Sequence, residues 1–181
     1  AFAALKDDGS VVTWGDPLYG GDSGSARADL SSGVVQIFSN LYAFSALKDD
    51  GSVVTWGLTE AGGDSEQVHD LLKRDVVNIY SNAGSFAALK RDGSVVAWGS
   101  PSGGGDSSAV QASLRDGVIK VYGNGSAFAA LKQDGSVVTW GEPASGGDSS
   151  ATSGELLRNV TDIFSAYGMF AALKADGSVV T

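Results

Sequence analysis

Few side chains in this sequence have the types and spacing to do chemistry. Asp22, Asp64, Asp106 and Asp148 each end a Gly-Gly-Asp motif followed by serine. Carboxylates in glycine-rich repeats hold calcium between the coils of β-rolls, where the period is about nine residues. Here each repeat supplies one such aspartate, and an Asx-turn or helix N-cap needs the same residue, its carboxylate accepting backbone N–H groups. Calcium at these four positions is the lesser expectation. Asp7-Asp8 and Asp49-Asp50 are adjacent carboxylates, but Arg91, Gln133 and Ala175 stand at the first of these positions in the other repeats. A repeated metal site would not tolerate that variation, whereas solvated turns do. His69 is the only histidine, and although Glu66 and Asp70 lie near it, no other repeat matches it, so it reads as a surface helix residue. Without cysteine or a second histidine, no nucleophile–base–orienter set can be assembled, and every Ser–Lys or carboxylate-pair candidate recurs in all repeats, as structural residues do. Trp14, Trp56, Trp98 and Trp140 could form a sugar-stacking ladder, giving a glycan-binding alternative. Tryptophan alternating with valine on a two-sided apolar hairpin fits a core position better. Lys6, Lys48, Lys90, Lys132 and Lys174 read as rim charges beside the turns.

All of these residues sit on a repeat. Phe2, Phe44, Phe86, Phe128 and Phe170 are 42 residues apart, as are the tryptophans, the Asp-Gly pairs from Asp8-Gly9 to Asp176-Gly177, and the Gly-Gly-Asp motifs. The units run 1–42, 43–84, 85–126 and 127–168, with a partial unit 169–181, in one array over 1–181. Five hairpin starts but four following segments imply that the array continues beyond both ends or is open and coiled.

Each unit begins with two strand-like runs around Asp-Gly, the pair favoured in two-residue type I′ turns. That turn would set Leu5 opposite Val12 and Ala3 opposite Trp14. Both faces of such a hairpin are apolar, so both must be covered by neighbours. A variable stretch follows, then Gly-Gly-Asp-Ser, then a segment ending in Leu30, Leu72, Leu114 or Leu156; the spacing of Val68, Leu71 and Leu72 predicts a helical turn there. A third strand closes the unit, as in Val34–Phe38, with a polar third position (Gln36, Asn78, Lys120, Asp162) that reaches a groove or rim.

The net charge is −9, which repels phosphate backbones and argues against nucleic-acid binding. Hydrophobic residues make up 43%, too many for a disordered chain. No apolar run is long enough to cross a membrane. Glycine, 26 residues at fixed places beside apolar runs, implies tight turns between short strands.

The motif Leu-x-x-Asp-Gly-x-Val-x-x-Trp-Gly, as from Leu5 to Gly15, resembles the repeat of the regulator of chromosome condensation family, and the resemblance covers the whole chain. It implies β-propeller blades serving as a protein-binding platform, and in one branch a guanine nucleotide exchange factor. The unit here is shorter than that family's, lacks its histidine before the first inner strand, and replaces its Gly-Gln-Leu-Gly turn; no exchange loop can be matched. Short uniform repeats of this kind look like those of large repetitive microbial surface proteins, which favours an extracellular or cell-surface setting.

The expected fold is therefore mostly β: blade-like units with a short helical turn each, an open β-solenoid being the alternative. The expected function is a non-catalytic scaffold whose partners are proteins or neighbouring repeats of a larger assembly. Binding is expected on the loops that vary between units, 16–19, 58–61, 100–103 and 142–145, and on those before each phenylalanine. Tyr19, Tyr42, Glu60, Glu142 and Tyr167 are the candidate contact residues.

Overall fold

The computed structural model describes residues 1–181. The chain is mostly β, built as small antiparallel sheets in tandem. The first has two strands, β1 (Phe2–Leu5) and β2 (Val11–Trp14). Three-stranded sheets follow: β3 (Val34–Ser39), β4 (Ala43–Lys48) and β5 (Val53–Gly57); then β6 (Val76–Ser81), β7 (Ser85–Lys90) and β8 (Val95–Gly99). The last two are β9 (Val118–Gly123), β10 (Ala127–Lys132) and β11 (Val137–Gly141); and β12 (Val160–Ala166), β13 (Met169–Lys174) and β14 (Val179–Val180). Each sheet thus joins the closing strand of one sequence unit to the hairpin of the next.

The linker decides that pairing. Only Asn40-Leu41-Tyr42 separates β3 from β4, and the Asn40 carboxamide oxygen accepts from the N–H groups of Tyr42 and Ala43, both at 2.8 Å. Asn82 and Asn124 repeat this turn. The stretch from β2 to β3 is far longer and holds the segment that crosses to the next sheet. Its leucine, Leu30, Leu72, Leu114 or Leu156, is buried each time. In the second unit it includes a short α-helix, α1 (His69–Leu72), as the leucine spacing predicts.

The hairpin turn differs from the two-residue form that Asp-Gly suggests. Gly9 N–H donates to Lys6 O and Lys6 N–H to Ser10 O, each at 2.9 Å, so the loop is Asp7-Asp8-Gly9. A type I′ turn requires positive φ at both central residues, and only Gly9, at φ +77°, has it. Asp8 Oδ1 instead accepts from Ser10 N (3.0 Å) and Ser10 Oγ (2.6 Å), which favours a type I turn followed by a left-handed glycine. The register moves by one residue as a result. Phe2 lies opposite Trp14 and Leu5 opposite Val11, replacing the expected Ala3–Trp14 and Leu5–Val12 pairs.

One face of each hairpin therefore carries phenylalanine and tryptophan together, hereafter the Trp face, while leucine marks the other. Phe44–Trp56, Phe86–Trp98 and Phe128–Trp140 stack at 5.2, 5.4 and 5.3 Å between ring centroids. The cores lie between sheets: Ala43, Leu47 and Val53 on the leucine face of one sheet pack with Phe86, Ala88, Val96 and Trp98 of the next. In the three inner sheets the two-sided apolar hairpin is covered on both sides, as its composition requires. Each indole also donates across the interface, Trp56 to Gly20 O (3.2 Å), Trp98 to Gly62 O (3.1 Å) and Trp140 to Gly104 O (2.9 Å).

Trp98→Ala should remove a stacked ring and an inter-sheet hydrogen bond together, costing about 3–5 kcal/mol. Trp14→Ala, at the exposed end of the same column, should cost far less. Urea unfolding followed by circular dichroism compares the two.

Candidate functional site

The variable stretch after each Trp-Gly pair begins with one short helical turn, Pro17–Tyr19, Thr59–Ala61 and Pro143–Ser145, and in the third unit the span Pro101–Gly105 runs on into the glycines, with Gly104 left-handed at φ +93°. The Gly-Gly that follows fixes it. The first glycine is left-handed (φ +90° at Gly20), and a Cβ there would stand 2.8 Å from the Phe44 ring of the next sheet. The second packs on backbone: a Cβ on Gly63 would lie 2.3 Å from the carbonyl oxygen of Gly57. The loop sequence is free to vary while its stem is not.

The loops before each phenylalanine meet these turns at the same sheet edge. Leu58 N–H donates to Tyr42 O (3.0 Å), Ser100 N–H to Gly84 O (2.9 Å) and Glu142 N–H to Ser126 O (2.9 Å). Asn40 and Asn124 Nδ2 each donate to the carbonyl closing the helical turn of their own sheet, Ala61 O and Ser145 O, at 2.7 Å. Successive sheets are also linked there, Leu41 N–H to Ala83 O, Ala83 N–H to Gly125 O and Gly125 N–H to Tyr167 O (3.3, 3.4 and 2.7 Å). Both variable sets thus share one edge of the array.

The structure brings two of the five candidate residues together. Tyr19, from the first unit's helical turn, and Tyr42, from the second sheet's loop, have ring centroids 5.6 Å apart at 51°. Their sequence neighbours Leu18 and Leu41 are exposed, and Leu41 lines a cleft with Asn82, Asn124 and Tyr167. Tyr167 is highly exposed at the far end of the backbone ladder beside Gly125, and lines the same cleft as Leu41. Glu60 and Glu142 line clefts of successive units that share Pro101, Asp106 and Ser107. Asp64, Glu66 and Asp106 join Glu60 in the first cleft, and no lysine or arginine lines it.

The other chemically able residues are committed elsewhere. Asp22, Asp64, Asp106 and Asp148 each accept, at 2.8–3.0 Å, the N–H two residues on, which is the Asx-turn arrangement. No group of three or more His, Asp or Glu side chains converges as a metal cage would require. His69 is exposed on α1, next to an Asp70–Lys73 pair at 2.6 Å. Trp56, Trp98 and Trp140 are 3–4% exposed, so the tryptophan column does not present a sugar-stacking ladder. Lys48, Lys90, Lys132 and Lys174 are more than rim charges: each ammonium donates to a main-chain carbonyl 19 residues earlier, Asp29, Leu71, Ser113 and Glu155, at 2.8–3.0 Å. Lys6, without such a partner, lies 3.5 Å from Asp8.

The polar column of the third strand falls at a β-bulge on the leucine face. In the fourth and fifth sheets it joins neighbours: Tyr122 OH donates to Asp162 Oδ1, and Lys120 Nζ sits 3.7 Å from the same oxygen and 4.5 Å over the Tyr122 ring. The Tyr122 hydroxyl lowers the Asp162 pKa, while burial raises that of Tyr122. Sequence reasoning missed the asparagine turns at 40, 82 and 124; their only signal is recurrence at the 42-residue step.

No protein-family model matches this sequence, and no curated protein is similar to it. Several solved structures are. Prp20p from Saccharomyces cerevisiae superposes with a TM-score of 0.57 at 16% identity over 92% of this chain and 51% of its own. Yeast RCC1 (Prp20) bound to Kap60 gives 0.59 at 17%, over 98% and 52%. Human WBSCR16 gives 0.53 at 20%, over 98% and 57%. The likeness places the tandem three-stranded sheets among propeller-blade folds of the RCC1 kind. This chain spans about half the length of those structures.

The turn aspartates make stability acid-sensitive. Hydrogen bonds from Ser52, Ser94 and Ser136 lower the pKa of Asp50, Asp92 and Asp134 below the usual 3.8. A depressed carboxylate stabilises the fold above its unfolded pKa, and that contribution is lost as pH falls through the folded value. Calorimetry should give a level Tm from neutral pH to about 5 and a decline below about 4. Replacing Ser52, Ser94 and Ser136 with alanine should flatten that acid limb.

Proposed function

We propose that this chain is a non-catalytic repeat scaffold that holds a protein partner at the loop edge of its sheets. The observation that carries this reading is the Tyr19–Tyr42 pair, two rings from different sheets converging at 5.6 Å, with their sequence neighbours Leu18 and Leu41 exposed. Clustered aromatic residues on a rigid frame supply contact area at low entropic cost and are enriched where binding energy concentrates. Prp20p, similar in fold, is described by its binding to Gsp1p and histones, and yeast RCC1 is seen bound to Kap60. Those partners belong to those proteins; their relevance here is that blades of this kind serve as protein platforms. Nucleotide exchange rests on fold alone and has no matched loop in this sequence.

The same reading needs no enzyme and no cofactor. The carboxylates at 22, 64, 106 and 148 already serve backbone N–H groups, so millimolar calcium should leave Tm unchanged. An extracellular or cell-surface setting is favoured by the uniformity of the repeats alone, since the absence of cysteine suits a cytosolic chain equally.

The test is capture of partners by the intact chain and by a Tyr19→Ser/Tyr42→Ser variant. Recovery of a specific partner should fall about tenfold, equivalent to about 1.4 kcal/mol, while Tm holds. Unchanged recovery at unchanged stability would leave only a spacer role.

A further inference from the structure

A groove of about 890 Å³ lies between the second and third units, with residues 59–71 on one wall and residues 101–111 on the other. Further units flank this pair on both sides. Between the walls runs β8, the outer strand of its sheet, which pairs only with β7 and gives all five of its residues to the lining. An edge strand of this kind leaves backbone N–H and C=O groups for another extended chain. The groove recurs one repeat later with about 300 Å³ of space, where Thr139, Trp140 and Gly141 replace Ala97, Trp98 and Gly99. The two grooves separate what the fold requires from what it tolerates. Glu60, Glu66 and Leu71 stand where the third unit has Ser102, Ser108 and Ser113. That unit closes its segment with serine at all three columns, so none of the three side chains is needed for folding. Yet all three are exposed, and all three line the one larger groove.

We propose that this groove binds an extended peptide segment of a partner protein, one that carries lysine or arginine beside a leucine- or valine-like side chain. The charge of the lining selects the cation: Glu60, Asp64, Glu66 and Asp106 are all there, and no lysine or arginine is. The apolar side chain has its own place, because Leu71, 52% exposed, shares the groove with half-buried Val68. The edge of β8 would align the peptide backbone between them. A neutral segment would leave the carboxylates without partners, and an acidic one would be repelled by them. Neither Tyr19 nor Tyr42 lines the groove, so this site adds to the loop-edge reading without resting on it.

Fluorescence anisotropy of a labelled Lys-Leu-Lys-Ser-Lys-Leu-Lys peptide, titrated with the 181-residue chain, tests this. The parent chain should bind it saturably, and more weakly as salt is raised. The same peptide with glutamate in place of lysine should not bind. Glu60→Ser/Glu66→Ser/Leu71→Ser copies the third unit's residues, so the fold is kept, as unchanged circular dichroism would verify. Its affinity should fall about tenfold. Asp7→Asn/Asp49→Asn makes the same change in net charge, from −9 to −7, outside the groove, and should bind as the parent does. So should Tyr19→Ser/Tyr42→Ser, which keeps this outcome separate from that of the loop edge. Failure of the parent to bind the lysine peptide, binding of the glutamate peptide, full affinity in the serine variant, or an equal loss in the asparagine variant overturns the proposal. Glu60→Gln/Glu66→Gln provides the same comparison should the triple variant fail to fold.

Discussion

The contact on which this structure depends is the stacked phenylalanine–tryptophan pair with its indole N–H directed at a glycine carbonyl 36 residues earlier. It does three jobs in one place. Stacking sets the hairpin face, because both rings must lie on the same side of the sheet. Burial of the two rings closes the core against the preceding sheet. The indole hydrogen bond reaches back into the preceding unit and fixes its Gly-Gly turn, and a buried N–H without that carbonyl would cost about 1–3 kcal/mol. The first glycine must be left-handed and bare because the phenylalanine ring lies where its Cβ would be. Two glycines, one phenylalanine and one tryptophan therefore form one packing unit, repeated at the 42-residue step.

A second set of links ties the sheets along the turn edge. The carbonyl of each turn glycine accepts from the first residue of the next sheet, as Gly9 O does from Val34 N and Gly51 O from Val76 N, both at 3.0 Å. The residue before that strand must then be left-handed: Gly33 and Gly117 in two units, Asp75 and Asn159 in the others, both at φ +65°. Asp and Asn are the non-glycine residues that tolerate this region best, since a short polar side chain can bond locally. The column looks irregular as a sequence and is uniform as a conformation.

The period, the two-sided hairpins and the helical turn ending in leucine were legible because they follow from residue type and spacing alone. The hairpin register was not, because Asp-Gly serves two turns that differ by one residue. The choice between them lies in the Asp8–Ser10 hydrogen bonds, and Ser10 stands outside the dipeptide. Strand partnership was equally hidden: periodicity is blind to phase, and only the short asparagine-closed linker shows that Val34–Ser39 belongs with the following hairpin. The lysine column looked like solvent charge because its acceptors lie 19 residues back, on the segment that crosses from the preceding sheet. Of the candidate contacts, the loop origin of Tyr19 and Tyr42 was readable. Their meeting was not, since it requires knowing that one unit's turn abuts the next sheet's loop.

That abutment explains how such an array can carry a specific surface at all. The second, third and fourth variable turns are held at their starts by backbone hydrogen bonds to the adjoining loop, the first by its own Asp16 carboxylate accepting from Leu18 N (3.0 Å), and all four at their ends by glycines locked against backbone and ring. Asparagine side chains add a third tie in three of the sheets. Apart from the Asp16 cap, none of these ties uses a side chain of the turn itself. Substitution there changes what the edge presents without changing the stack beneath it, so selection on binding and selection on folding act on different residues. In the first interval both positions are tyrosine; at the matching pairs, Ala61 with Gly84, Gly103 with Ser126 and Ser145 with Gly168, they are small. The scaffold therefore repeats while the patch does not, and a partner that reads Tyr19 and Tyr42 meets one aromatic site on a molecule of near-identical units.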